Sequence, residues 1–378
     1  MTIFTVANIL KAYYDCRETK RKTTNALKYE LNLENNLVDL KESLQTRTYR
    51  PGRSICFVVT VPKPREIFAA DFGDRVTHHI LINEVQQIWE KQIFITDSYA
   101  CRKNKGHHFG ALRVAEFVKN YDYYGQFDIS SFFSNINKST LYEIFSKIIA
   151  SKLRPEWWQK EVLWLARIII FNNPTQNYYY KGDPALKKLV PTGKSLFDQE
   201  PEVGLPIGNL TSQFLANVYL NELDHFVTDE LGCKAYGRYV DDFLIFSDSI
   251  EDIKVWRNEI ASFLKDRLYL VLHPRKQQIQ PTRHGVAFVG YFIKPWGITV
   301  RRNVVKMAKN KIYRFNKRND VTKAVASLNS YFGHFGKART GRLRKHLIEK
   351  HLSLKIKSKI VVVGNYHHLR IKKSAKLN

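Results

Sequence analysis

The stretch YVDDFLIF, residues 239–246, decides how this chain is read. Two adjacent aspartates stand between a β-branched residue and a run of strand-forming apolar residues. A carboxylate beside a buried strand loses hydration and needs a partner, and a hard divalent cation is a good one. The plainer alternative is a hairpin turn, since Asp is a favoured turn residue. Hairpin turns prefer Asp-Gly or Asn-Gly, however, and here Phe243 follows directly. KAYGRYVDDFLIFSDS (234–249) therefore reads as two short strands around an acidic turn.

A second carboxylate strengthens the catalytic reading. Asp128 in YYGQFDISSFF (123–133) ends an apolar strand that leads into a tight bend with two aromatics. Three aspartates converging from two strands would hold two Mg2+ ions, a pair that clamps the attacking and leaving oxygens of a phosphoryl displacement. Asp128 and Asp241 are then the expected bridging ligands, with the Ile129 carbonyl completing the shell and Asp242 assisting.

Length and charge set the frame. A chain of 378 residues, 44% apolar and 13% aromatic, is globular and long enough for two or three structural units. Its net charge of +26 is uneven: residues 301–378 carry 22 Lys and Arg against Asp320 and Glu349, hence +20 of the total. Such an excess points to a polyanionic partner, usually a phosphate backbone. The longest apolar run, Val162 to Phe171, is interrupted by Arg167, so no membrane span is expected. The start, MTIFTVANILKAYYD, lacks the basic segment and cleavage site of a secretory signal. Cys16, Cys56, Cys101 and Cys233 are scattered without a Cys-x-x-Cys pair, which argues against a structural zinc site and suits reduced thiols in a cytoplasm.

Along the chain, Leu33, Leu37, Leu40 and Leu44 fall at helical spacing. ICFVVTVPKPREI (55–67) reads as strand, turn, strand, and Asp74 to Trp89 as a helix burying Val76, Ile80, Val85 and Trp89. KNKGHH (103–108) reads as a basic loop. Thr140 and Glu143 fit a capping box for a helix bearing Leu141, Ile144, Phe145, Ile148 and Ile149. Residues 172–203 look irregular; a helix from Leu210 to about Leu231 follows, with Ser212 and Gln213 near its start. Another helix runs through Ile253, Trp256, Ile260 and Leu264, and FVGYFI (288–293) reads as a strand pair bent at Gly-Tyr. Beyond Asn303, basic helices dominate. The fold class is α+β: an antiparallel sheet carrying the aspartates, with helical additions at both ends.

In this order, an aspartate strand followed by aromatics, GLPIGNLTSQ (204–213), Tyr-x-Asp-Asp and a Gly-Tyr bend resemble the palm of a reverse transcriptase. The resemblance covers about Tyr49 to Leu347. It implies a right-hand polymerase fold, with a helical segment at 1–50, interleaved fingers and palm at 51–296, and a basic helical thumb with a C-terminal tail at 297–378. VPKPREI and DRVTHHIL resemble the fingers motifs, which implies that Lys63 and Arg65 meet the incoming triphosphate. Phe133 takes the place of the aromatic that excludes a 2′-hydroxyl, implying deoxynucleotide selection. Lys276, in HPRKQQI, resembles the lysine that protonates pyrophosphate and would otherwise be a surface lysine on a loop. Gly290-Tyr291 resembles the primer grip, and SYFGHFGKARTGRLRKHL (330–347) a thumb helix pair.

GLPIGNLTSQ lacks the Lys and glycine spacing of a phosphate-binding P-loop. It reads instead as a close-approach surface in which Gly208 lets backbone near the nascent base pair. Most bacterial reverse transcriptases have Gln-Gly-x-x-x-Ser-Pro here; Ile207 replaces that Gln and Gln213 that Pro. The altered pattern, together with DSYACRKNKGHH (97–108) and the lack of room for further domains after the thumb, resembles the reverse transcriptases of diversity-generating retroelements, encoded by bacteria or phages. That subgroup copies a template RNA into cDNA with errors opposite adenine, using dNTPs and two Mg2+ ions for which Mn2+ can substitute. It works with a small basic oligomeric accessory protein. The competing readings are an intron-type or phage-defence reverse transcriptase, or an inactive RNA-binding protein of polymerase shape.

Overall fold

A computed structural model describes residues 1–18 and 20–372; the expected C-terminal tail beyond Lys372 lies outside the described residues. Helices α1 (Val6–Arg17), α2 (Thr24–Glu30) and α3 (Leu33–Gln45) open the chain, and α3 buries Leu40 and Leu44 of the predicted leucine stripe. Strands β1 (Ser54–Val59) and β2 (Arg65–Ala69) form the predicted hairpin, with Val59 facing Arg65 across the turn that carries Lys63. Helix α4 (Phe72–Ile88) follows and packs against α1. Helix α5 (His107–Asn120) begins inside the stretch read as a basic loop. The left-handed Gly106, at φ +87°, breaks the chain one residue earlier, so His107 and His108 belong to the first helical turn.

Strand β3 (Tyr123–Ile129) leads through left-handed Ser131 into the short helix α6 (Phe132–Asn135). Helix α7 (Lys138–Ala150) is capped by Asn137, whose side chain accepts from the Thr140 N–H at 2.9 Å. The expected Thr140–Glu143 capping box is therefore displaced by one turn, because Asn offers a better-placed oxygen just upstream. After α8 (Glu156–Phe171), the irregular connection supplies one short strand, β4 (Tyr178–Tyr180), which joins β1 in parallel. Helix α9 (Leu210–His225) starts three residues before Gln213 and is succeeded by β5 (Ala235–Tyr239), β6 (Asp242–Ser247), α10 (Ile250–Leu268) and β7 (Leu272–Pro281).

The central sheet has the order β5-β6-β3-β7, antiparallel throughout. Its β6 run FLIF is buried on both faces, which is why that strand lacks polar alternation. Phe127, Phe243 and Ile245 pack into a core shared with α4, α7, α8, α9 and α10. On the opposite face Tyr124, Leu244 and Phe246 pack with α5 and with the small sheet of β8 (Val286–Phe288), β9 (Tyr291–Lys294) and β10 (Gly297–Val300). Burying each such side chain contributes about 1.5–3 kcal/mol, so both sheet faces are anchored.

Helices α11 (Arg302–Arg318), α12 (Val321–Phe335), α13 (Gly341–His346) and α14 (Leu354–Lys357) build a third core around Ile312, Leu328 and Phe332. This region is not purely helical. Strands β11 (Ile360–Val363) and β12 (His368–Ile371) form a hairpin that packs on α12. The run IVVV before Gly-Asn is a strand-and-turn signal that the surrounding lysines obscured. No helix among the described residues is long and apolar enough to cross a membrane.

Candidate active site

The acidic turn joins β5 to β6, with Tyr239 paired to Asp242 and only Val240 and Asp241 between them. Val240 sits at φ +59°, a region unfavourable for a β-branched residue and costing of order 1–3 kcal/mol. Neighbours hold it there. The Arg238 guanidinium donates to the Val240 carbonyl at 3.0 Å, and the Ile129 N–H donates to the Asp241 carbonyl at 3.2 Å. Arg238 itself is fully buried and forked onto Asp224 of α9, with both bonds at 2.6 Å. It also reaches Asn217 and Ser98, while Tyr236 donates to the same Asp224 carboxylate at 2.6 Å. A completely satisfied buried ion pair thus lies behind the strained turn.

Asp128 and Asp242 are direct cross-strand partners on one face of the sheet, so their side chains start roughly 5 Å apart. Asp241 lies in the turn between Tyr239 and Asp242. Burial raises the Asp241 carboxyl above its usual range; the Asp128 charge adds to this, while Lys276 and Arg65 oppose it. Burial likewise pushes Asp242 up to about 7, against the hydrogen bonds from Gln126 and helped by the charges of Asp241 and Asp128. The three carboxylates are not gathered within ligand distance of one another. Asp242 accepts from Gln126 Nε2 at 3.0 and 3.3 Å, and Asp128 from Lys276 Nζ at 2.6 Å. Mutual repulsion explains this: each acid takes the nearest donor rather than another acid. Asp242 is thus turned to Gln126 and Asp128 to Lys276, in keeping with the assisting role expected of Asp242.

The donor set still suits hard divalent cations. Two partly buried carboxylates and the Ile129 carbonyl beside them are all oxygen donors, and burial penalises the charge that a cation would neutralise. Lys276 already performs that neutralisation for Asp128. Its reach depends on an irregularity in β7: Phe127 pairs with Gln277 but Ile129 pairs with Leu272, leaving three extra residues on the edge strand. Lys276 is therefore a strand residue held against Asp128, not the surface lysine on a loop that was the plainer alternative. Pro274 is tolerated in the same stretch because β7 is an edge.

The loop GLPIGN is laced to its surroundings on two sides. The Gly204 N–H donates to Ile136 O and the Leu205 N–H to Phe133 O, both at 2.8 Å, tying it to the turn after Asp128. On the other side the Phe68 N–H donates to Ile207 O at 2.9 Å, and the Ala70 N–H to Asn209 Oδ1 at 3.1 Å, tying it to β2. Gly208 has φ +123°, and a Cβ there would stand 2.8 Å from Ile67 Cγ2 and 3.2 Å from Phe68 O. Only glycine fits that approach. Ile207 is half-buried, and Gln213 is exposed on the first turn of α9.

The remaining expected residues divide. Arg65 is exposed at the head of β2 with its charge felt by Asp241, whereas Lys63 is exposed in the turn with no contact to the aspartates among the described residues. Phe133 is half-buried beside Phe132, ring centroids 5.4 Å apart, and packs against the edge of the main core. Gly290 is left-handed at φ +88° and partly exposed. Tyr291, by contrast, is fully buried and its hydroxyl donates to His334 O. Gln126, Asp224 and Arg238 were missed. Gln126 was findable, lying two residues before Asp128 on the same strand face.

An antiparallel sheet with an aspartate at the end of its inner strand and two more at the adjoining hairpin, enclosed by helical layers, is the palm of the right-hand polymerase fold. The family model described as "Reverse transcriptase (RNA-dependent DNA polymerase)" matches residues 61–293, and the chain belongs to that family. Among solved structures it is similar to the telomerase of Candida albicans in complex with the TWJ fragment of telomeric RNA. That match has a TM-score of 0.46 and 11% identity, covering 70% of this chain and 49% of the other. It is also similar to apo telomerase of Candida tropicalis truncated from the C-terminal domain, with a TM-score of 0.46 and 12% identity, covering 65% and 55%. The chain thus spans about half the length of these telomerase chains. No curated protein matches it in sequence.

Proposed function

We propose that the protein is an RNA-directed DNA polymerase of the diversity-generating kind, copying a template RNA into error-prone cDNA that diversifies a target gene. The observation that carries the polymerase reading is the pairing of Asp128 with Asp242 across β3 and β6, with Asp241 at the intervening turn. In this reading residues 51–296 are fingers and palm, 297–378 the basic thumb and tail, and 1–50 a helical support. Its substrates are template RNA, the growing RNA–cDNA duplex and dNTPs, its partner a small basic accessory protein, and its compartment the cytoplasm of a bacterial host.

Asp128, Asp241 and the Ile129 carbonyl would hold the cations, with Asp242 oriented behind them by Gln126. When bound, two Mg2+ ions, or Mn2+ in their place, supply positive charge to the attacking 3′-oxygen and the leaving pyrophosphate. Arg65 and Lys63 orient the triphosphate from β2 and its turn. Phe133 closes the sugar pocket against a 2′-hydroxyl. Lys276 leaves Asp128 and gives its Nζ proton to the pyrophosphate. The test is extension of a DNA primer on an RNA template with Mg2+ and dNTPs; failure with either Mg2+ or Mn2+ would overturn the reading.

The subgroup rests on Ile207 and Gln213. Ile207 presents shape but no hydrogen bond at the place where relatives carry Gln. One net hydrogen bond is worth about 1 kcal/mol, so Ile207→Gln is expected to lower misincorporation opposite template adenine roughly five- to tenfold. Sequencing cDNA made from one template by both proteins checks this, and identical error spectra would remove position 207 from the account.

The basic thumb is expected to grip phosphates. Affinity for an RNA–DNA duplex should fall by about a thousandfold between 50 and 200 mM salt if six or more phosphates are neutralised. A salt-independent affinity, measured by fluorescence anisotropy, would assign the C-terminal charge to something else.

A further inference from the structure

Three histidines meet where α5, the β8–β9 bend and α12 come together. His107 and His108 start α5 and His334 lies in the last turn of α12, more than two hundred residues away in sequence. One ring nitrogen from each lies within 4.8 Å of the others. Three metal–nitrogen bonds of 2.0–2.1 Å at tetrahedral angles would need separations of about 3.3 Å, a contraction within reach of side-chain rotation. The Nε2 atoms of all three are buried and find no hydrogen-bond partner. Native interiors rarely leave such atoms orphaned, and three of them fall on the residues of this one cluster.

We propose that His107, His108 and His334 form a three-imidazole site for a borderline divalent transition metal such as Zn2+. Imidazole nitrogen is the ligand type that Zn2+, Co2+ and Ni2+ favour and Mg2+ does not, so this site is chemically distinct from the oxygen site at the aspartates. Ligation needs each imidazole neutral. Burial lowers all three, taking His108 down to about 4 with the charges of its two histidine neighbours and Lys337 adding to the effect. For His334 the Gly290 backbone acts weakly in the opposite sense.

The surroundings fix the rings in place. Tyr291 and His107 both pack against the His334 ring, with centroids 4.5 and 5.1 Å away and 6.5 Å from each other. Gly290 makes room for the cluster, because a Cβ there would stand 2.8 Å from both Cε1 and Nε2 of His334. A groove of about 660 Å3 between α11 and α12 is lined in part by His334 and Gly290. The metal would clip α12, in the C-terminal core, to α5, in the core of the catalytic sheet. The scattered cysteines gave no sign of zinc because this site uses none of them.

The test uses the full chain stripped with a chelator and titrated with Zn2+ or Co2+ in excess Mg2+, which keeps the aspartates occupied. One ion per chain is expected, with a Co2+ visible spectrum of a four-coordinate nitrogen site and a thermal midpoint raised by about 5 °C or more. His334→Ala and, separately, His107→Gln should each weaken binding at least tenfold, while Asp241→Asn should leave it unchanged. His107→Gln decides if His334→Ala fails to fold. Absence of stoichiometric binding, binding untouched by the histidine changes, or binding lost with Asp241→Asn would each overturn the site.

Discussion

Asp241→Asn is expected to abolish RNA-templated primer extension, reducing its rate by at least about a thousandfold, while leaving fold and RNA affinity intact. The carboxylate supplies charge to a cation whose stabilisation of the reacting oxygens is worth several kcal/mol, and each 1.4 kcal/mol is tenfold in rate. Asparagine keeps the backbone bond from the Ile129 N–H to the residue 241 carbonyl, so the turn survives. Stability should hold or rise slightly, because burial and the neighbouring Asp128 both disfavour the ionised acid. Single-nucleotide extension by the two proteins, with thermal melts alongside, checks both halves. Equal extension by mutant and parent would sink the catalytic assignment and with it the choice among active polymerases.

The second large effect concerns the buried pair behind the turn. Arg238→Met or Asp224→Leu alone should cost about 3–5 kcal/mol of folding stability, because each leaves an uncompensated buried charge. Urea denaturation of the singles measures that loss. The double change removes both charges and should recover much of it, since replacing a buried ion pair by apolar groups is often near neutral. Activity should not return with stability. Val240 at φ +59° loses the donor that holds its carbonyl, so the aspartates lose their support. A double variant with full activity would show that Arg238 serves folding alone.

The acidic hairpin was legible because two acids adjoining FLIF contradict ordinary burial rules, and such contradictions mark function. The sheet around it was legible from strand-forming runs. What failed to show was anything depending on distance along the chain. Arg238 and Asp224 sit on different elements with no spacing rule between them. The contact of Lys276 with Asp128 required a register irregularity that no periodicity encodes. His107 and His108 looked like loop because the lysines around them read as solvated charge. The β11–β12 hairpin was hidden the same way, its IVVV signal outweighed by basic neighbours. Asp242 could be placed on the strand, yet not its turn toward Gln126, because that follows from repulsion among acids in three dimensions.

The two-sided lacing of residues 204–209 has a consequence for how such an enzyme changes over time. Every bond that fastens this loop to β2 and to the turn after Asp128 uses backbone atoms, apart from Asn209 Oδ1. The Ile207 side chain makes none of these hydrogen bonds. On the proposed function, accuracy and catalytic geometry are therefore separable at this position: Ile207 can be exchanged without breaking any hydrogen bond that holds the loop beside the aspartates.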